Sequence, residues 1–260
     1  MDRNKLFNEF LEECKKNKQI CGAGNPYAQI LLVGQEHYAK YQIKEDKDKE
    51  WEDYLNRYYE YCSIENNPWI KNDENDNRWR DFQNSSPTWR NYQQLINEAL
   101  PNRLNRSTKG IRDFEFDAFT TELNSIPRPH KTLDSQTKDN VKKRLALFKG
   151  SQFIQSFPVI LLACGDYISN QGEGADRQID NTFDVEFDDE LNEKGVPKGW
   201  HEREKGKLWF TTHHSKDKQK LVIHTRQFSL RYTNKEDREW LIKKMADVIR
   251  GHLDHLKNLD

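Results

Sequence analysis

The sequence predicts an α/β protein built on a mostly parallel sheet, and three observations carry that prediction. Short continuous apolar runs of strand length recur along the chain, each closing on a polar residue or a glycine. Amphipathic helical patterns separate them. Strands that alternate with helices are connected most simply by crossovers between parallel neighbours, with helices covering the sheet.

The elements follow in order. Leu6, Phe7, Phe10, Leu11 and Cys14 fall at helical spacing, so residues 4–17 are expected to form an amphipathic helix. Cys21-Gly22-Ala23-Gly24-Asn25-Pro26 breaks it. Ala28 to Val33 is a buried strand ending at Gly34. Phe114 to Leu123 alternates and closes on Asn124, Phe157 to Cys164 closes on Gly165, and Lys220 to Ile223 on His224. Helical patterns over 87–100 and 138–149 lie between these strands. A last helix opens on Thr233-Asn234-Lys235-Glu236, where Thr and Glu side chains can satisfy each other's orphan N–H groups. Trp240, Leu241, Met245, Val248, Ile249, Leu253 and Leu256 form its apolar stripe.

Two segments exceed a minimal α/β domain. Residues 40–80 are densely charged yet hold Trp51, Tyr54, Tyr58, Tyr59, Tyr61, Trp69 and Trp79, a set that suits a minor packed core better than a base-stacking platform. Residues 170–218 hold a polar, glycine-containing stretch and then a hairpin arm at Lys207 to Thr212. Both read as insertions on one domain spanning 1–260. Within the second, His213 and His214 are adjacent on a strand, point to opposite faces, and read as surface residues rather than metal ligands.

Composition narrows the function. Hydrophobic residues make up 34% of the 260 and charged residues 33%, but 12% aromatic residues supply the apolar area that a disordered chain lacks. Net charge is −1, so an anionic partner must be held by a local basic patch rather than by the bulk field. No apolar run nears the roughly 20 residues of a membrane span, and Met1-Asp2-Arg3-Asn4-Lys5 lacks a signal-peptide core, so a cytoplasmic protein with no membrane partner is expected. Cys14, Cys21, Cys62 and Cys164 form no CxxC pair, and neither a metal nor another cofactor is expected.

In an open parallel sheet, ligands bind at the carboxyl ends of the strands. The polar residues there are Gly34-Gln35-Glu36-His37-Tyr38, Asn124-Ser125, Gly165-Asp166 and His224-Thr225-Arg226. A carboxylate and an imidazole suit hydrolysis, and a carboxamide that donates and accepts suits reading a base edge.

In order and wording these strand ends resemble the uracil-DNA glycosylase superfamily. Gly34-Gln35-Glu36-His37-Tyr38-Ala39 resembles its GQDPYH motif, His224-Thr225-Arg226-Gln227-Phe228-Ser229 its HPSPLS motif, and Thr121-Glu122-Leu123-Asn124 its LLLN strand end. Ser86-Pro87-Thr88-Trp89-Arg90-Asn91 resembles the PPSLxN helix start. The lead-in Gly24-Asn25-Pro26-Tyr27 and the stretch Asn124-Ser125-Ile126-Pro127-Arg128-Pro129 resemble the superfamily's iron–sulfur members, but the cysteines of a cluster are missing here.

The resemblance implies a three-layer α/β/α fold about a central, mostly parallel four-stranded sheet, and hydrolysis of the N-glycosidic bond of a flipped-out pyrimidine in DNA. By position it implies that Glu36 positions the attacking water and His224 stabilises the departing base anion. Asn124 would read the base, Tyr38 would crowd its C5 edge, and Phe82 would stack on it. Gln35 would make a backbone contact beside the pocket. Phe228 would be the wedge that enters the duplex, with Ser86, Arg226, Ser229 and Arg231 on the DNA backbone. Glu36 stands where the family has Asp, and Arg226 where it has Ser.

Two settings fit such an enzyme, repair of uracil and defence against phage DNA carrying modified bases; the insertions would reshape the pocket for the second. A non-catalytic nucleic-acid or nucleotide-binding protein on the same scaffold is the alternative, with a monomer the expected state. A flavodoxin-like nucleotide hydrolase would need a glycine-rich phosphate loop after the first strand, where Gly34 is the one glycine.

Overall fold

The computed structural model describes residues 2–36, 47–71, 87–103, 113–124, 134–169, 177–203, 208–229 and 233–259. Helix α1 (Arg3–Lys16) opens the chain, N-capped by the Asp2 carboxylate, which accepts from the Asn4 N–H, and it buries the five apolar residues expected of it. Strand β1 (Ala23–Gly24) precedes β2 (Ile30–Glu36). Helices α2 (Lys47–Cys62), α3 (Pro68–Lys71) and α4 (Pro87–Ala99) lead to β3 (Ala118–Asn124). Helices α5 (Ser135–Gly150) and α6 (Gln152–Gln155) lead to β4 (Val159–Leu162). Then come α7 (Gln178–Phe183), β5 (Glu186–Phe187), β6 (Trp200–Arg203), β7 (Leu208–His214), β8 (Leu221–Thr225) and α8 (Lys235–Lys257).

The four apolar runs read from the sequence are β2, β3, β4 and β8. They lie side by side in the order β3-β2-β4-β8, all parallel. The expected limit of four strands does not hold, because among the described residues the sheet has eight. β1 adds antiparallel to β3, β7 adds antiparallel to β8, and β5 and β6 share the far side of β7. The 170–218 segment is therefore part of the sheet rather than an appendage. Its strands are short and mixed in polarity, which hid their pairing. Phe114–Phe116, expected as the start of a strand, forms a 3-10 turn instead. Gln93 of α4 pins the backbone there by accepting from the Asp113 and Phe114 N–H groups.

Side-chain alternation divides the core in two. Leu31, Val33, Phe119, Ile160 and Val222 point to one face, where α1, α2, α5, α6 and α7 pack. Ile30, Leu32, Ala118, Leu161 and Ile223 point to the other, covered by α4 and α8. Part of the 40–80 segment belongs to this core: Leu55, Tyr59 and Cys62 of α2 are buried against α1, and the Tyr59 hydroxyl donates to the Gln19 carbonyl. On the same face Arg144 of α5 is fully buried. Its guanidinium donates to the carbonyls of Glu122 and Ile20, to Gln19 Oε1 and to Thr121 Oγ1. The described residues contain no helix long and apolar enough to cross a membrane.

Candidate functional site

The sheet order fixes where a ligand crevice opens. From β2 the chain crosses to β3 on one side and then returns to β4 on the other, so connections diverge between β2 and β4. The carboxyl ends flanking such a reversal form the usual ligand crevice of open α/β sheets. Gln35 closes one wall: its Nε2 donates to the Cys164 carbonyl just past β4, 3.0 Å away. His224 reaches the next carbonyl from the other side, with Nε2 3.0 Å from Gly165 O. Two successive peptides, Cys164–Gly165 and Gly165–Asp166, are thus held by one predicted side chain each. Gly165 turns there with φ +51°, a backbone that favours glycine.

Each of these two residues keeps a buried acceptor with no hydrogen-bond partner among the described residues, Gln35 Oε1 and His224 Nδ1. Burial lowers the His224 pKa to about 4, and the nearby His213 pushes the same way against the hydrogen bond to Gly165. A neutral ring carries one ring N–H, and a carbonyl needs a donor, so Nε2–H donates to Gly165 and Nδ1 is the bare acceptor. The ring is only 2% exposed, with Trp209 edge-on to it at 5.1 Å. Its donor is therefore committed, and contact with a ligand oxygen requires the Gly165 turn to release it.

On the opposite side of β2, Glu36 and Asn124 are register partners at the ends of β2 and β3. Asn124 is fully buried, and because Leu123 points to the α1 face its own side chain points to the α4 face. Of Glu36 the structure describes the backbone alone. Asn124 and His224 are separated by three strand spacings, roughly 14 Å at about 4.8 Å each. By alternation their side chains leave opposite faces of the sheet, so they meet only across its upper edge.

Other predicted residues divide sharply. Tyr38, Phe82, Ser86 and Arg231 lie outside the described residues. Arg226 is exposed at the edge, and Ser229 is half-buried beside Gln227. Phe228 is not a wedge. It is fully buried, stacked on Tyr92 of α4 at 5.1 Å, and Asn91 Nδ2 donates to its carbonyl at 2.7 Å. An apolar ring in a tight loop after a strand is equally the mark of a loop anchor, and here the anchor prevails.

His213 is not a surface residue either. It is fully buried, with Nδ1 2.5 Å from Asp180 Oδ1 and Nε2 3.2 Å from Thr211 Oγ1, while His214 turns to the other face and meets Asp188. The sequence signal missed at this edge is Glu122, two residues before Asn124 and so on the same strand face. Its carboxylate lies over Gly34, where an added Cβ would stand 2.2 Å from Glu122 Oε2. No protein-family model matches this chain, and no curated protein matches it either.

Proposed function

We propose that the chain is a monofunctional DNA glycosylase of the uracil-DNA glycosylase type, which hydrolyses the N-glycosidic bond of an extruded uracil or modified pyrimidine. One observation carries the reading. Four strands far apart in sequence carry Glu36, Asn124, Cys164 and His224 at or just past their carboxyl ends, on one edge of a parallel sheet whose strand order reverses between β2 and β4.

In the reaction, water oxygen bonds to the sugar C1′ as the bond from C1′ to the base nitrogen breaks, and the bonding pair leaves on the base. A carboxylate orients the water and accepts its proton; a donor or dipole at the base oxygen spreads the leaving charge. A neutral His224 with a proton on Nε2 has the form such a donor needs, once it exchanges the Gly165 carbonyl for a base oxygen. Extrusion costs a few kcal/mol, and phosphate contacts from residues such as the exposed Arg226 would offset part of it.

The test is a gel assay with a uracil-containing oligonucleotide and hypermodified phage DNA, each treated with alkali after incubation. Strand breaks at the base position are expected with at least one substrate, and their absence with both rejects the proposal. A second reading, a non-catalytic nucleic-acid or nucleotide-binding protein, draws on the commitment of the His224 donor to Gly165. It predicts DNA retention without abasic product, and binding unchanged by Glu36→Ala.

A further inference from the structure

We propose that Glu122 is the carboxylate that positions the attacking water at this strand edge. The inference rests on the glycosylase reading and deepens it. Sequence motifs draw attention to Glu36, but three independent features single out Glu122 at the edge.

The first is its place on the strand. Glu122 and Asn124 share a face of β3 and stand about 7 Å apart along it, two residues of strand. That span is comparable to the reach from an amide at a pyrimidine's outer edge, across the ring, to the sugar carbon that water attacks. The second is Gly34. Its register partner is Glu122, and a Cβ at 34 would come within 2.2 Å of Oε2, 2.9 Å of Cδ and 3.0 Å of Oε1. A glycine at this strand position leaves room for the carboxylate to cross over β2 toward the crevice. The third is the anchoring of the residue from behind: Arg144 Nε donates to the Glu122 carbonyl at 3.1 Å from the opposite face of the sheet. The backbone that carries the carboxylate is thus fixed from the opposite face of the sheet, and the space its side chain occupies is kept open by Gly34, which favours a preorganised group.

The surroundings agree. Tyr92, stacked on Phe228, is buried with its hydroxyl unpartnered among the described residues. Its phenol is held well above the ordinary value by burial and then by the negative charge of Glu122. That charge also adds to the burial that raises the Cys164 thiol. The charge of Glu122 is therefore felt by a group on α4 and by one just past the end of β4. In the step itself, Glu122 takes one proton from water as its oxygen bonds to C1′. The proton passes to solvent, which in turn protonates the released base.

The experiment measures single-turnover base release from a uracil-containing oligonucleotide and from hypermodified phage DNA. It compares the wild type with Glu122→Gln, Glu36→Gln, Gly34→Ala and Gly34→Ala/Glu122→Asp. Binding to a non-cleavable 2′-fluoro-deoxyuridine oligonucleotide and thermal unfolding are read in parallel. Glu122→Gln is expected to slow release by about 10²–10⁴-fold, the worth of one positioned acid or base, with binding and melting little changed. Gly34→Ala displaces the end of a flexible side chain rather than backbone, so it should fold and lose rate in the same direction. The shorter Asp in the double variant withdraws from the new methyl and should recover part of that rate. A merely structural carboxylate, or a methyl that simply blocks substrate, gives no such recovery.

Full activity in Glu122→Gln alongside a large loss in Glu36→Gln overturns the inference and leaves the glycosylase reading standing. A wild type that releases no base from either DNA overturns both.

Discussion

His224 couples the candidate site to pH through its burial. Its folded pKa of about 4 lies below the ordinary histidine value of 6.5, so the unfolded chain takes up a proton first as pH falls. The stability contributed by the neutral ring is complete above pH 6.5 and is lost as pH falls through 6.5 toward 4. At pH 5 the loss from this one ring is about 2 kcal/mol. His224→Gln keeps a donor for Gly165 and removes the titration. Urea unfolding at pH 7.5 and pH 5 should therefore show the wild type losing about 2 kcal/mol more than the variant between the two. An equal loss in both proteins would mean that the ring is not buried neutral. At Phe228 the two available roles separate cleanly. As a core anchor, Phe228→Ala should cost about 3–5 kcal/mol in unfolding free energy. A duplex wedge would leave the melting temperature unchanged and weaken DNA binding alone.

At the scale of elements, sequence patterns located α1, α4, α5, α8 and the four parallel strands, passed over α2 within the charged 40–80 segment, and misjudged several ends. The last helix is the clearest instance. Its cap is Asn234, whose Oδ1 accepts from the Asp237 N–H at 2.8 Å and whose Nδ2 donates to the Asp237 carboxylate at 2.7 Å. The box expected at Thr233 and Glu236 sits one residue early. Glu236 is engaged elsewhere, with Arg203 of β6, which also bridges to Asp237 and so ties the sheet to α8. Asn234→Ala should lower stability by about 1 kcal/mol and exceed the effect of Thr233→Ala, as read by thermal or urea unfolding. The larger loss at Thr233 would reinstate the earlier box. Local chemistry offers two adjacent capping sets here, and only tertiary contacts choose between them.

For the whole molecule, what was legible in the sequence was the set of four parallel strands, because the continuous apolar runs of β2, β4 and β8 and the alternation of β3 advertise burial without any partner being known. Their order was not legible, since it depends on which way each crossover runs. Strands β5 to β7 escaped recognition as sheet members because His213 and His214 of β7 carry their polarity into hydrogen-bonded pairs, a buried one with Asp180 and a half-buried one with Asp188. The site was legible to the same partial degree. Gln35, Asn124 and His224 could be found at strand ends, but that Phe228 points inward and Glu122 crosses a glycine could not, because both follow from packing between α4, β2 and β3. The account as a whole stands on the claim that this edge cuts the bond between base and sugar. Mass spectrometry of the supernatant after incubation with uracil-containing and hypermodified phage DNA tests it most directly. A free pyrimidine base is expected from the wild type, sharply reduced with His224→Ala; DNA bound and returned with every base attached would contradict it.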